Sequence, residues 1–272
     1  MSTRTIFLSF ALITAMPVAA QGQGSDWPFH GFFQVNWSVR TTGAGRAGLL
    51  SRDFLLGEAR LQLEFEQFSE SGIAGFLAKV DLFHDALSER ADLELREGYV
   101  DFLASPVALR LGRQIITWGV GDLIFINDVF PKDYVAFFSG RPLQYLKVGV
   151  DGLKLDVTSR LVSAELVLIP WFEPDRVPAP DRFVLFEPFP DLPPVERRPA
   201  LRLSNGEVAI RVYRRLAGAD VSLYAYRGFY GSPAPQPVGD PEPDRLLLRF
   251  PRLNVYGASL ERAGMGGVVS AE

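Results

Sequence analysis

Glu58-Ala59-Arg60-Leu61-Gln62-Leu63-Glu64-Phe65-Glu66 alternates polar and apolar residues without a break. In an extended chain successive side chains point to opposite faces, so one face here is wholly apolar and the other carries Glu58, Arg60, Glu64 and Glu66. Gln34 to Arg40 repeats the pattern, with Val35, Trp37 and Val39 set between Gln34, Asn36, Ser38 and Arg40. Such charges cannot occupy a dry core unpaired. A soluble sandwich turns its polar face outward, whereas a membrane barrel turns the apolar face to lipid and keeps the polar face inside. The choice between these two decides the fold.

Strand length favours the barrel. About ten strands are readable, near 31–41, 56–68, 74–85, 92–103, 106–116, 146–158, 162–170, 206–215, 220–230 and 252–261. Several exceed the roughly five or six residues of a soluble strand and suit the roughly 9–11 that cross a bilayer at a tilt. The connections fall into two kinds. Ser69 to Gly72 and Ser159-Arg160 are brief, while long Pro-rich loops are expected near 170–205 and 231–251. Short turns on one side and long loops on the other characterise outer-membrane barrels. Aromatics at strand ends, such as Phe33, Phe68, Phe102, Trp171 and Tyr230, fit interface girdles and would equally fit a core.

The N-terminus reads as a secretory signal peptide over 1–20: Arg4, then the apolar stretch Ile6 to Met16, then Val18-Ala19-Ala20 as the cleavage site. Residues 21–272 are expected to form the barrel, or its N-terminal part, in a Gram-negative outer membrane. No segment offers the ~18 uncharged apolar residues of a membrane-spanning helix. An eleventh strand starts at Val268, which makes an odd count where bacterial single-chain barrels have an even one. The barrel is therefore expected to be incomplete at its C-terminus. Cysteine is absent, so a disulfide scaffold is excluded. Only His30 and His84 are present, which leaves little for a zinc site. Net charge is −4 with no basic block, so nucleic acid is not an expected partner.

The most distinctive stretch is Leu111-Gly112-Arg113-Gln114-Ile115-Ile116-Thr117-Trp118-Gly119, followed by Ile126-Asn127-Asp128-Val129-Phe130-Pro131-Lys132-Asp133. With Leu95-Arg96-Glu97-Gly98-Tyr99-Val100-Asp101 upstream, it resembles a family of proteobacterial outer-membrane porin-like β-barrel proteins long catalogued as a domain of unknown function. Those carry a Gly-Arg-Gln strand end, a Trp-Gly pair, an Asn–Pro–Asp loop, and an Arg-Glu-Ala-Tyr strand in which Gly98 here replaces alanine. The likeness covers most of the mature chain in layout and is specific between about residues 93 and 135. It implies a place, the outer membrane, more than a substrate; members of that family generally continue past residue 272.

Residues 117–145 are too long for a turn. Leu123-Ile124-Phe125-Ile126 is apolar and flanked by Asp122, Asp128, Lys132, Asp133 and Arg141, so the segment is expected to fold into the lumen with that apolar run against the wall. A surface loop of the same length is the competing reading. The polar faces assign Arg60, Lys79, Arg96, Arg110, Lys154 and Arg211 to the lumen, against Glu58, Glu64, Glu66, Asp81, Glu94, Asp156 and Glu165. This mixed set is expected to pair across strands. In the fourth strand Leu93 and Leu95 share parity with Glu97 and Asp101, and a bulge would reset the phase.

The residues expected to line or narrow the lumen are Arg96, Arg110, Arg113, Gln114, Trp118, Asp122, Asp128 and Asp133. The arginines favour a small polar, anionic solute, with Arg110 and Arg113 expected to set anion flux. Outer-membrane lipid is the other expected partner; oligomeric state is unspecified. No catalytic residue, cofactor or metal is expected. His84 beside Asp85 and His30 sit at strand ends, no nucleophile is placed with them, and acids such as Glu64 and Glu66 on one strand face belong to a lumen. Gly43-Ala44-Gly45-Arg46-Ala47-Gly48 matches G-x-G-x-x-G, yet the next segment reads as a polar-faced strand and not as the helix a dinucleotide site requires. Two rivals to a channel remain open: a non-conducting structural or adhesive barrel, and a secreted soluble β-sandwich enzyme or binding protein.

Overall fold

A computed structural model describes residues 28–39, 54–87, 89–121, 124–178, 183, 185, 187–264 and 266–272. The signal peptide, the glycine-rich 43–48 turn and Asp122 lie outside these residues. The fold is all-β and dominated by one antiparallel sheet of eleven strands. In chain order these are β1 (Phe29–Val39), β2 (Phe54–Phe68), β3 (Ala74–Asp85), β4 (Arg90–Ala104), β5 (Val107–Gln114), β6 (Val150–Val157) and β7 (Ser163–Ile169). After β8 (Pro194–Arg197) come β9 (Glu207–Leu216), β10 (Ala219–Phe229), β11 (Ala234–Val238), β12 (Arg245–Arg249), β13 (Arg252–Gly264) and β14 (Gly267–Ala271). Each strand of the large sheet pairs with its neighbour in chain order once β8, β11 and β12 are set aside, and β1 and β14 are its two unpaired edges. The sheet is barrel-like and not closed.

The pairing of Glu58-to-Glu66 with its neighbours explains the alternation. Arg60 stands opposite Gln34 of β1, and Gln62 opposite Asp81 of β3, so polar residues meet polar ones across each ladder. Phe33, Trp37, Leu63, Leu82, Leu93, Leu111, Leu168, Ile210, Leu223 and Tyr256 all lie on the other face and are between 38% and 83% exposed. The apolar face is the outside and the charged face is covered. This excludes the sandwich, in which a second sheet would bury the apolar face; the one further sheet among the described residues is small and lies in the connections.

The long connections gather at one end. Residues 115–149, 170–206 and 230–251 join strands there, beside the short 86–89, while 69–73, 105–106, 158–162, 217–218 and 265–266 join them at the other. The β9–β10 hairpin turns through Ala217 (φ 49°) and Gly218 (φ 82°), the two positive-φ positions that match a twisted two-residue hairpin. The loops expected near 170–205 and 231–251 are not wholly irregular. They contribute β8, β11 and β12, which form a three-stranded sheet in the order β11-β12-β8. Prolines argued against strands there. Pro235 and Pro237 are two apart on the edge strand β11, however, where missing N–H groups point away from the ladder.

The bulge anticipated in β4 lies at Arg96. Lys79 pairs with Glu97 and Val80 with Leu95, so Arg96 is the extra residue and the phase changes across it. Leu93 and Leu95 therefore face outward while Glu94, Arg96, Glu97 and Asp101 share the inner face.

Candidate functional site

Residues 115–148, between β5 and β6, leave the sheet and lie across its polar face. They contain a single helical turn and a half, α1 (Tyr134–Ser139), and a 3-10 turn at Leu143–Leu146. Asp133 caps α1 by accepting from the Ala136 amide at 2.7 Å, and Gly140 in the left-handed conformation (φ 77°) ends it. A six-residue helix has little stability alone, so its surroundings fix it.

On the β1–β4 side the segment is gripped by charge. Arg141 donates to Glu58 at 2.7 Å, and Glu58 also takes two bonds from Arg60, at 2.8 and 3.0 Å. Arg60 reaches Asp81 at 2.5 Å, and Gln62 donates to the other oxygen of Asp81 at 2.8 Å. The ring of Tyr145 lies between two guanidiniums, Arg60 and Arg96, each 4.5 Å from its centroid. Arg96 also donates to the Gln144 carbonyl at 2.7 Å, and Ser38 of β1 donates to the Ser139 carbonyl at 2.9 Å. Glu58, Arg60, Asp81 and Arg96 are all at most 6% exposed, and each charge has a counter-charge.

On the opposite side the grip is apolar. Trp118 is buried against Phe130 (5.0 Å between centroids) and Tyr224 (5.5 Å), in a cluster with Ile116, Val150, Val167, Ile169, Ala209 and Tyr226. Its indole N–H donates to Glu165 of β7 at 2.5 Å. Asn127 donates to the Ala258 carbonyl of β13 at 3.1 Å, and Gly257 beside it leaves the space that the Asn127 side chain fills. The Glu272 carboxylate accepts from the amides of Val120, Gly121 and Asn127.

The middle of the segment is held by Asp128, which pairs with Lys132 at 3.0 Å and Lys147 at 2.8 Å. Burial pushes the Lys132 ammonium below its ordinary range, against the pull of Asp128. From above, the Lys132 amide donates to Asp175 (2.8 Å), and Arg176 bonds Glu94 at 2.5 Å and Asp133 at 3.4 Å. Burial desolvates the Arg176 guanidinium, yet Glu94 and Asp133 together more than offset this and raise its pKa.

Of the residues expected at the lumen, Arg96, Gln114, Trp118, Asp128 and Asp133 come together around the inserted segment. Arg110 faces inward lower down, where Asp101 binds it in a fork at 2.7 and 2.8 Å and its guanidinium lies 3.7 Å from the Tyr99 centroid. Arg113 is set apart from Gln114, since adjacent strand residues leave the strand on opposite sides. Gln114 is buried; Arg113 bonds the Leu95 carbonyl (2.9 Å) and Asp151 (3.2 Å) and lines a hollow with Glu94 and Arg176. The apolar run expected against the wall is buried only in part: Phe125 packs against Ala136, Tyr145 and Leu146, Ile124 and Ile126 are 68% and 57% exposed, and Leu123 lies outside the described residues. Trp118, Phe130, Tyr145 and Leu146 supply the buried contact. Arg141, Tyr145, Lys147 and Asn127 were not singled out as site residues. Their partners lie tens of residues away in sequence, and only the strand register reveals them.

The chain matches no family model, and no curated protein matches it.

Proposed function

We propose that the protein is an outer-membrane channel for small polar solutes, with residues 115–148 forming an internal constriction. The observation that carries this reading is the inversion of the sheet: the apolar face is exposed along every long strand, while paired charges occupy the covered face. Contiguous exposed apolar surface of this extent is uncommon in a protein surrounded by water and is what lipid requires. A lumen lined by matched charges needs no covalent chemistry to pass polar solutes.

The non-conducting barrel has its own support, because Trp118, Phe130 and their neighbours fill one side of the interior as a packed core. Electrophysiology separates the two. The protein, refolded in detergent and inserted into a planar bilayer, is expected to open discrete channels, and deletion of residues 120–135 to increase their conductance. Channels of unchanged conductance after the deletion would refute the constriction. Detergent-stable, heat-modifiable protein with no channels would favour the structural barrel.

A further inference from the structure

We infer that the short-turn end of the inner face holds a binding site for a small oxyanion, a carboxylate or phosphate, built on Arg211 and Arg160. This names a solute class for the channel proposed above and rests on that reading. Most inner-face cations are already matched by acids. Arg60 has Glu58 and Asp81, Lys79 has Glu64 and Glu97, Arg110 has Asp101, and Lys154 has Asp156 and Glu165. Arg211 differs. Its register partner is Glu165, but that carboxylate is taken by the Trp118 indole and Lys154. Arg211 turns to the Ser222 hydroxyl, with two long contacts of 3.2 and 3.4 Å, and makes no ion pair among the described residues.

A guanidinium carries five N–H donors, and those long contacts leave its strongest directions unused. The group is held in place all the same: the Tyr213 ring lies 4.8 Å from its centre and the Tyr224 ring 5.7 Å. An oriented fork of this kind is suited to carboxylate or phosphate oxygens. It opens into a hollow of about 520 Å³ bounded by the β6–β7 turn and the β9–β10 hairpin. Arg160 on the first and Arg215 on the second also line the hollow, and the one acid on its wall is Asp220. That volume is within the range of small-molecule sites. Leu161 and Val162 also line the hollow and offer apolar surface to a short apolar body.

The test is calorimetric titration of the full-length detergent-refolded protein with succinate and, separately, inorganic phosphate, at fixed ionic strength so that screening is constant. Saturable binding of at least one is expected, and which one binds distinguishes the carboxylate from the phosphate. Arg211→Gln should weaken it about tenfold or more, as the loss of a charge-assisted hydrogen bond implies. Arg160→Gln, in an exposed turn where folding is not at stake, should do the same. Arg110→Gln, which removes an equal charge from the same face, should change affinity less than about twofold, since Asp101 already neutralises Arg110. No saturable binding of either anion, or equal weakening by Arg110→Gln, would overturn the site. Conductance of the same preparation separates the two proposals: channels without anion binding refute the site alone, and binding without channels refutes the channel alone.

Discussion

Replacing Gly257 with alanine tests whether the inserted segment is locked to the far wall of the sheet. A methyl carbon at 257 would fall far inside van der Waals contact distance of Asn127 Oδ1. Ordinary contact needs about 3.5 Å, so the Asn127 side chain must move by more than about 1 Å. It cannot do so and keep its 3.1 Å bond to the Ala258 carbonyl. Overpacking costs about 1–3 kcal/mol and the lost bond about 1 kcal/mol, while removing a glycine from a strand returns about 0.5–1 kcal/mol. The net destabilisation expected is about 1–3 kcal/mol. Denaturant unfolding in detergent, followed by tryptophan fluorescence, would measure it. The companion variant Asn127→Ala should cost only about 1 kcal/mol. In the double variant the methyl has nothing to strike, so its stability should return to within about 0.5 kcal/mol of Asn127→Ala. Additive losses in the double variant would refute the argument, since the steric partner would then be something other than Asn127.

The charged grip on the opposite wall gives two further expectations. Arg60→Met removes the cation shared by Glu58 and Asp81, leaving only Arg141 on the first and the more distant Arg96 on the second, and should cost about 3–5 kcal/mol, whereas Arg141→Met leaves Glu58 its two bonds to Arg60 and should cost about 1–3 kcal/mol; denaturant midpoints in the reverse order would contradict the network as described. Tyr145→Phe keeps the ring between the two arginines and removes a hydroxyl buried without a hydrogen-bond partner, so stability at pH 7 should change by less than about 1 kcal/mol. Burial, and after it Asp81, raises the Tyr145 phenol pKa above its ordinary value near 10. A raised folded-state pKa means that the neutral phenol contributes stability below pH ~10 that is lost as pH rises through and beyond it. The phenylalanine variant should therefore lose less stability than the parent in an alkaline titration above pH ~10, and parallel curves would count against that burial.

Much of the large sheet was legible because strict alternation has one solution. A strand such as 58–66 is wrong in every residue if slipped by one, so its faces are readable without knowing its neighbours. The same rule separates Arg113 from Gln114 beside it, which leaves the strand on the other side. The edge strands β8 and β11 were hidden by their own prolines, which argue against strands generally and are neutral only at an edge, and β12 by its place among the prolines of the same loop. The inserted segment was half legible: its length and its charges showed that something was there. Of its apolar run Phe125 is packed while Ile124 and Ile126 stay exposed, because local hydrophobicity does not reveal which side chains find a partner across the interior. Arg141, Tyr145 and Asn127 look ordinary in sequence and matter only through Glu58, Arg96 and Ala258.

The segment also bears on why an unclosed sheet keeps its curvature. With β1 and β14 unpaired among the described residues, no ladder hydrogen bond joins the two ends of the sheet, and intrinsic twist bends such a sheet without fixing how far it curls. Residues 115–148 touch β1 through Ser38, β2 through Glu58, β4 through Arg96, β7 through Glu165, β10 through Tyr224 and β13 through Ala258. Contacts to strands that far apart in the sheet are compatible with one another only when it is bent around the segment. The segment therefore acts as an internal tie; in the channel proposed above it would also be an obstruction, and the two roles would pull against each other when it is cut. A deletion that widens the pathway also removes the tie, so the conductance gain should come with a lower unfolding temperature. The Gly257 variant, which loosens one end alone, should show the stability loss with little change in conductance.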